Sequence, residues 1–181
     1  MVFRSVCAVA AFVLASCGGD SGDGEEVHAL GEPATVGYSD PTDLEGEVAT
    51  TLEVTVLEVR EGTHDELTEA GFEVDAEGRD TTPYYVDARY ENTGDATVER
   101  NIDVSLEDSD GNLIGSTLVF DYGDKGFPLC ENVDEGKLAP GESYENCTLF
   151  LVPEGVEPGQ VSFLSHEGAD TPPEFVYWEI D

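Results

Sequence analysis

The stretch of sequence that decides the fold is YYVDARYENTGD, residues 84–95. Tyr84, Val86, Ala88 and Tyr90 alternate with mostly polar residues, so they fall on one side of an extended chain. The closing Asn-Thr-Gly-Asp combines residue types that favour tight turns. The stretch therefore predicts a β-strand with one buried side that ends in a turn.

Similar runs, separated by turn residues, continue from Val48 to the end of the chain. Strands are predicted at 51–59, 84–91, 98–106, 113–120, 145–152, 160–165 and 174–180. In the first run the alternation slips at Leu57, which indicates a bulge or a strand with two buried sides. The second and third runs are predicted to form a hairpin. About seven strands at this spacing predict an all-β fold, an antiparallel β-sandwich.

Two parts of the chain add local detail to this sandwich. The long connection 61–82 is predicted to hold one short helical turn that ends at Gly71, with Phe72 packed onto the domain. Trp178 shares its period with other apolar residues of the last strand, so we expect it in the core.

The N-terminal segment has the build of a secretory signal. Arg4 precedes an apolar run at 6–14, which is too short to span a bilayer, and small residues follow it. Cys17 comes directly after Leu14-Ala15-Ser16, an arrangement that resembles the lipobox of bacterial lipoproteins. The resemblance implies that 1–16 is a signal peptide and that Cys17 carries a lipid. An ordinary signal peptide, cleaved at another small residue, is the alternative.

Residues 17–47 are predicted to be a flexible acidic tether behind the lipidated cysteine, because they are poor in large apolar side chains. A partly ordered end of this tether could still pack on the domain. The β-sandwich domain is predicted to occupy 48–181.

The remaining cysteines, Cys130 and Cys147, lie in the exported domain. Export places them in an oxidising compartment, so we expect a disulfide between them. A redox or metal pair is disfavoured, because the chain has no C-x-x-C spacing and no His near either residue.

The charge of the chain is strongly acidic, with 41 Asp and Glu against 7 Lys and Arg and a net charge of -34 at pH 7. This balance excludes nucleic acid as a partner, because phosphate contacts depend on Lys and Arg. It also repels anionic lipid headgroups. High solubility, a salty habitat and cation binding remain open as explanations.

Catalytic and metal-binding patterns are scarce. His28, His64 and His166 are not within metal-ligand spacing of one another, and there is no Gly-x-Ser-x-Gly motif. Carboxylates are so numerous that no pair can be singled out for acid-base chemistry. We therefore expect no enzymatic activity and no cofactor.

One turn has some likeness to a calcium loop. Asp108, Asp110 and Asn112 surround a glycine, but the ligand positions of an EF-hand do not fit the flanking residues. These three residues are the weak candidates for a Ca²⁺ site, together with Asp121 and Asp124. A hairpin turn that uses Asp, Gly and Asn for their backbone preferences is the alternative.

Residues 84–95, and the Pro-Gly turn at 140–141 that leads to a strand ending in Val152-Pro153, resemble an immunoglobulin-like module of unknown function. The module occurs in lipoproteins of Gram-positive bacteria, and a mycobacterial secreted antigen with a similar sandwich is a more distant comparison. The resemblance implies an immunoglobulin-like sandwich over 48–181 outside the cytoplasm, and it brings no catalytic residues.

The sequence therefore favours an extracytoplasmic lipoprotein, anchored to the cell membrane by an acyl group such as palmitate on Cys17. We expect a non-enzymatic module that binds another protein. The alternatives are a Ca²⁺-stabilised structural surface protein and a secreted hydrolase.

Overall fold

The computed structural model of the chain describes residues 26–40, 48–72, 74, 78–117, 127–130, 136–166, 168 and 171–180. Their strands are β1 Glu26–Ala29, β2 Ala34–Asp40, β3 Val48–Glu61, β4 Thr81–Asn92, β5 Val98–Glu99, β6 Ser105–Asp108, β7 Leu113–Ile114, β8 Lys137–Leu138, β9 Ser143–Pro153, β10 Pro158–Ser165 and β11 Glu174–Glu179. One short helix, α1 His64–Glu69, and a 3-10 turn at Gly78–Asp80 accompany them. Cys17, Asp121 and Asp124 lie outside the described residues.

The strands form two sheets and a small ribbon. The five-stranded sheet has the order β1-β11-β10-β6-β7, the four-stranded sheet has the order β2-β3-β4-β9, and β5 pairs with β8. Neighbouring strands are antiparallel except for β1 and β11, which run parallel. Apolar residues from both sheets form one main core, in which Leu52, Tyr90, Leu106, Val161 and Trp178 are fully buried. The predicted all-β sandwich is confirmed, and so is the buried position of Trp178.

The sandwich begins earlier in the chain than the sequence predicts. Strands β1 and β2 lie within the predicted tether 17–47, and they pair with β11 and β3. Ala34 and Val36 are buried, and the Trp178 indole Nε1 donates a hydrogen bond to the Glu32 carbonyl at 2.9 Å. The domain boundary at 48 is therefore wrong, because two small inward-facing residues gave too weak a pattern to predict a strand.

The predicted slip in the first long strand is a β-bulge. The register of β3 against β4 shifts between Val56 and Glu58, and Leu57 is exposed there. Val59 packs against the main core again on the far side of the shift. The bulge therefore exchanges the inward and outward positions along β3.

The predicted hairpin between residues 84–91 and 98–106 is wrong. β4 pairs with β3 and β9, whereas β6 pairs with β10 and β7 in the other sheet. The predicted inward residues Val98, Ile102, Val104 and Leu106 are nevertheless all buried. Alternation along a strand identifies its buried side, but it does not say to which sheet the strand belongs.

The Asn-Thr-Gly turn connects the sheets at this point. Asn92 is fully buried, accepts a hydrogen bond from Thr50 Oγ1 at 2.8 Å, and donates through Nδ2 to the Leu138 carbonyl at 3.0 Å. A Cβ at Gly94 would lie 2.6 Å from the backbone nitrogen of Thr51, so only glycine fits there. The turn thus ties the end of β4 to both β3 and β8.

Helix α1 begins in a capping box. The backbone N–H of Glu66 donates to Thr63 Oγ1 at 3.2 Å, and the backbone N–H of Thr63 donates to Glu66 Oε2 at 2.8 Å. Gly71 follows the helix with a φ of 89°, a conformation that glycine adopts without strain. The predicted short helical turn and its end at Gly71 are confirmed.

A second set of buried residues lies on the outer face of the four-stranded sheet, under α1. This outer cluster consists of Leu67, Tyr85, Cys130, Cys147 and Leu149. Cys130 and Cys147 form the predicted disulfide, with their Cα atoms 5.0 Å apart, and Phe72 packs against the cluster as predicted. The cluster covers positions of β4 and β9 that would otherwise meet solvent.

Candidate interaction surface

The outer face of the five-stranded sheet carries large apolar side chains. In β11, Val176 and Trp178 point into the main core, so the alternate residues Phe175 and Tyr177 lie on the outer side. Their rings stack with centroids 6.0 Å apart. The last strand is therefore apolar on both of its sides.

Neighbouring strands extend this set of side chains. Leu164 of β10 lies directly opposite Phe175, and Val27 of β1 lies beside Tyr177 in the parallel ladder. Val27, Leu164 and Phe175 are 49%, 48% and 41% exposed, whereas Tyr177 is nearly buried. These four residues, hereafter the apolar face, are neighbours across three adjacent strands.

The sequence prediction missed the apolar face. Val27 lay in the predicted tether, and the last strand was interpreted only through its inward side. The available signal was that Phe175 and Tyr177 interleave with Val176 and Trp178, so both alternating positions are large and apolar. A strand of this kind has both sides in apolar surroundings or leaves one of them exposed.

Carboxylates accompany the apolar face on the same sheet. Glu107 is 6% exposed, and its two carboxylate oxygens accept hydrogen bonds from Ser162 Oγ at 2.6 Å and Gln160 Nε2 at 2.8 Å. Neutral donors therefore satisfy this acid, and no cation contacts it among the described ion pairs.

Charge is distributed unequally between the two sheets. The strands of the five-stranded sheet contain five acidic residues and no Lys or Arg; the acids are Glu26, Glu107, Asp108, Glu174 and Glu179. The Lys and Arg residues within the described ranges lie outside these strands, namely Arg60, Arg79, Arg89, Arg100 and Lys137. The apolar face therefore lies on a sheet whose own charges are all negative.

On the opposite side of the sandwich, Asp87 belongs to a group of like charges beside the outer cluster. It lies across from Glu58 of β3 and from Cys147 of β9. Desolvation by burial raises the pKa of Asp87, the negative charge of Glu58 raises it further, and Arg60 opposes the shift. This arrangement destabilises the ionised carboxyl in the folded state.

The calcium-like turn uses its own donors. Asp108 Oδ1 accepts hydrogen bonds from the backbone N–H groups of Asp110 and Asn112 at 2.9 Å and 2.8 Å, and the Asn112 amide contacts both carboxylate oxygens. Hydrogen bonds from Asn112 lower the pKa of Asp108. This geometry favours the hairpin-turn interpretation, in which Gly111 adopts a φ of 81°.

The three histidines lie on separate elements. His28 of β1 packs its ring 5.7 Å from that of Trp178, His64 of α1 donates through Nε2 to the Thr81 carbonyl at 2.6 Å, and His166 directly follows β10. Within the described ranges, no three His, Cys, Asp or Glu residues are grouped so that they could hold a metal ion. No helix in the part of the chain that the structure describes is long and apolar enough to cross a membrane.

Comparison with known proteins identifies the fold and no family. No protein family and no curated protein matches the sequence significantly. The structure is similar to that of MPT63, a secreted protein from Mycobacterium tuberculosis, with a TM-score of 0.54 and 14% sequence identity. The match covers 88% of this chain and 100% of MPT63.

A second similar structure is that of ycdA, a proposed lipoprotein from Bacillus subtilis. The TM-score is 0.48 and the identity is 18%, over 72% of this chain and 36% of ycdA. The present chain thus corresponds to about a third of the length of ycdA. At these identities, the comparison with MPT63 shows that the two proteins share a β-sandwich fold.

Proposed function

We propose that this chain is a membrane-anchored extracytoplasmic lipoprotein whose immunoglobulin-like sandwich binds another protein without catalysing a reaction. The single observation that carries the binding role is the apolar face, since soluble domains rarely leave adjacent large apolar residues exposed outside interaction sites. The protein partner would be met outside the cytoplasmic membrane.

The location is supported by the N-terminal sequence and by the disulfide. Leu14-Ala15-Ser16-Cys17 resembles a lipobox, and a buried disulfide suits a protein that folds in an oxidising compartment. Glu26, the first residue of β1, follows Cys17 by nine residues. A chain of that length spans at most about 30 Å when fully extended, so a lipid on Cys17 would hold the sandwich close to the membrane.

Fatty-acid labelling of the full-length chain in a bacterial host tests the anchor. We expect a clickable palmitate analogue to label the chain, which should fractionate with membranes, and both properties should disappear in Cys17→Ser. Cys7→Ser is the matched control and should keep both, because Cys7 would leave with the signal peptide. Labelling that persists in Cys17→Ser, or an unlabelled wild-type chain in the medium, contradicts the proposal.

Crosslinking on intact cells tests the binding role. We expect a discrete crosslinked product between the wild-type chain and a second protein, in lower yield for Cys17→Ser because that variant is no longer held at the membrane. If no product forms at equal expression while the wild-type chain is lipidated, the anchor remains supported and the protein-binding role is contradicted.

A further inference from the structure

The apolar face is built from three strands that the main core already holds rigid. Phe175 and Tyr177 alternate along β11 with Val176 and Trp178, and both of these inward residues are buried. Leu164 follows Phe163, which is also buried. The outward residues therefore have fixed positions before any partner arrives, so little ordering entropy opposes docking on them.

The apolar face differs from the other exposed apolar residues of the described chain. Leu57 lies at the β3 bulge and Leu113 lies in the two-residue edge strand β7. Single exposed residues of this kind are ordinary on protein surfaces. By contrast, Leu164 and Phe175 are cross-strand partners, and Phe175 stacks on Tyr177. Among the described residues, only the apolar face brings exposed apolar side chains together on neighbouring strands.

The charge around the apolar face specifies the chemistry of that partner. The strands of the five-stranded sheet carry acidic residues and no Lys or Arg. Glu179 is exposed and lies on the same side of β11 as Phe175 and Tyr177. A complementary surface would be apolar at its centre and would carry Lys or Arg around it. Such a partner is attracted both by these carboxylates and by the net charge of -34.

We propose that the apolar face, formed by Val27, Leu164, Phe175 and Tyr177, docks a protein segment that is apolar at its centre and basic at its rim. This proposal rests on the proposed binding function and names the surface and the class of its partner. A second copy of the chain would bring the same excess of negative charge to the interface, and anionic lipid headgroups would do the same. Charge complementarity therefore favours a basic amphipathic segment over both.

A pair of synthetic peptides tests the docking surface. The probes are an amphipathic Leu/Lys helix and a Ser/Lys peptide of the same length and Lys content, so they differ only in the apolar side. The protein is the full-length chain carrying Cys17→Ser, purified with its disulfide formed. Methyl NMR signals of Val and Leu locate the contact, and titration gives the affinity at physiological salt.

We expect the Leu/Lys peptide to bind about tenfold or more tightly than the Ser/Lys peptide, and to shift the methyl signals of Val27 and Leu164. The double variant Leu164→Thr, Phe175→Thr should remove this tenfold preference, since Thr suits a strand surface but is far less apolar. Leu57→Thr, Leu113→Thr is the matched control and should keep it. Unchanged thermal unfolding in both variants excludes misfolding as the cause.

Three results would overturn the proposal. The preference could persist in the Leu164→Thr, Phe175→Thr variant, which would place binding elsewhere. Zwitterionic phosphatidylcholine vesicles could shift Val27 and Leu164 while the Leu/Lys peptide does not, which would make the occupant a lipid surface. Sedimentation could show a dimer that the same variant dissociates, which would make the occupant a second copy.

The result also separates this proposal from the proposed function. If the Leu164→Thr, Phe175→Thr variant loses the peptide preference but keeps its crosslinked product on cells, the face binds such peptides and the cellular partner uses another surface. If the crosslinked product disappears together with the peptide preference, both proposals are supported through the same residues.

Discussion

The two outer faces of the sandwich both carry apolar side chains, but they differ in how far those side chains are covered. Tyr85 and Leu149 lie on the outer face of the four-stranded sheet, and α1 and the disulfide bury them almost completely. Leu164 and Phe175 occupy equivalent cross-strand positions on the five-stranded sheet, and nearly half of each side chain is exposed. The chain covers the first of these apolar pairs with its own residues, so the exposed pair Leu164 and Phe175 is the one available to a partner.

Removal of the disulfide, which helps to cover the outer cluster, should lower the stability more than any of the changes that follow. Replacement of both Cys130 and Cys147 by Ser releases a cross-link with a sequence separation of 17, and should lower the free energy of unfolding by about 3 kcal/mol. Urea unfolding under oxidising conditions measures the loss. Reduction of the wild-type chain should reproduce it, and an unchanged midpoint would show that the outer cluster is held without the cross-link.

Truncation of one leucine in the outer cluster and one in the apolar face tests whether the first is buried and the second is exposed. Leu67→Ala removes the fully buried side chain of α1. The loss of stability should be about 2 kcal/mol, which is the lower end for such changes, because a short helix can move into the vacated space. Leu164→Ala on the apolar face is the matched control and should cost less than about 1 kcal/mol. Equal losses would mean that Leu164 is covered in solution as well.

Substitution of Asp87 should change the pH dependence of stability by a smaller amount. Burial and Glu58 raise the pKa of Asp87 in the folded state, so the folded state binds its proton more tightly than the unfolded state. Stability therefore falls as pH rises from the ordinary carboxyl range through the raised pKa.

Asp87→Asn should remove that fall and raise stability at neutral pH by less than about 1 kcal/mol. Thermal unfolding between pH 3 and pH 8 (about the range over which carboxyls and histidines titrate) provides the measurement, with Asp110→Asn at an exposed turn as control. A steeper fall of stability with pH in Asp87→Asn would show instead that folding stabilises the ionised carboxylate of Asp87.

Residues 84–95 show how far sequence reasoning extends. Their alternation identified the inward side of β4 and their Asn-Thr-Gly turn, and both are present. Tyr85 was expected to point away from the main core, as it does, but its complete burial depends on α1 and the disulfide, which approach from distant parts of the chain. Periodicity reports the direction of a side chain and cannot report what later covers it.

The pairing of the strands was harder to predict from the sequence, for a similar reason. The buried residues of 98–106 were identified, but the chain crosses there to the other sheet through the β5–β8 ribbon. Asn92 fixes that crossing through hydrogen bonds to residues far along the chain. The apolar face was missed because Val27 of β1 and Tyr177 of β11 become neighbours only when the first and last strands pair.

Calcium should have the smallest effect on stability, although the acidic turn Asp108–Asn112 borders the five-stranded sheet. Both Asp108 oxygens accept hydrogen bonds from the turn, and Asn112 lowers the pKa of Asp108. We therefore expect the same melting temperature with millimolar CaCl₂ and with chelator. Asp108→Ala should melt lower by an equal amount in both, because it removes the turn's acceptor. A rise with calcium that Asp108→Ala abolishes would instead establish a cation site, and a bound cation would also weaken the negative rim that the apolar face presents to a basic partner.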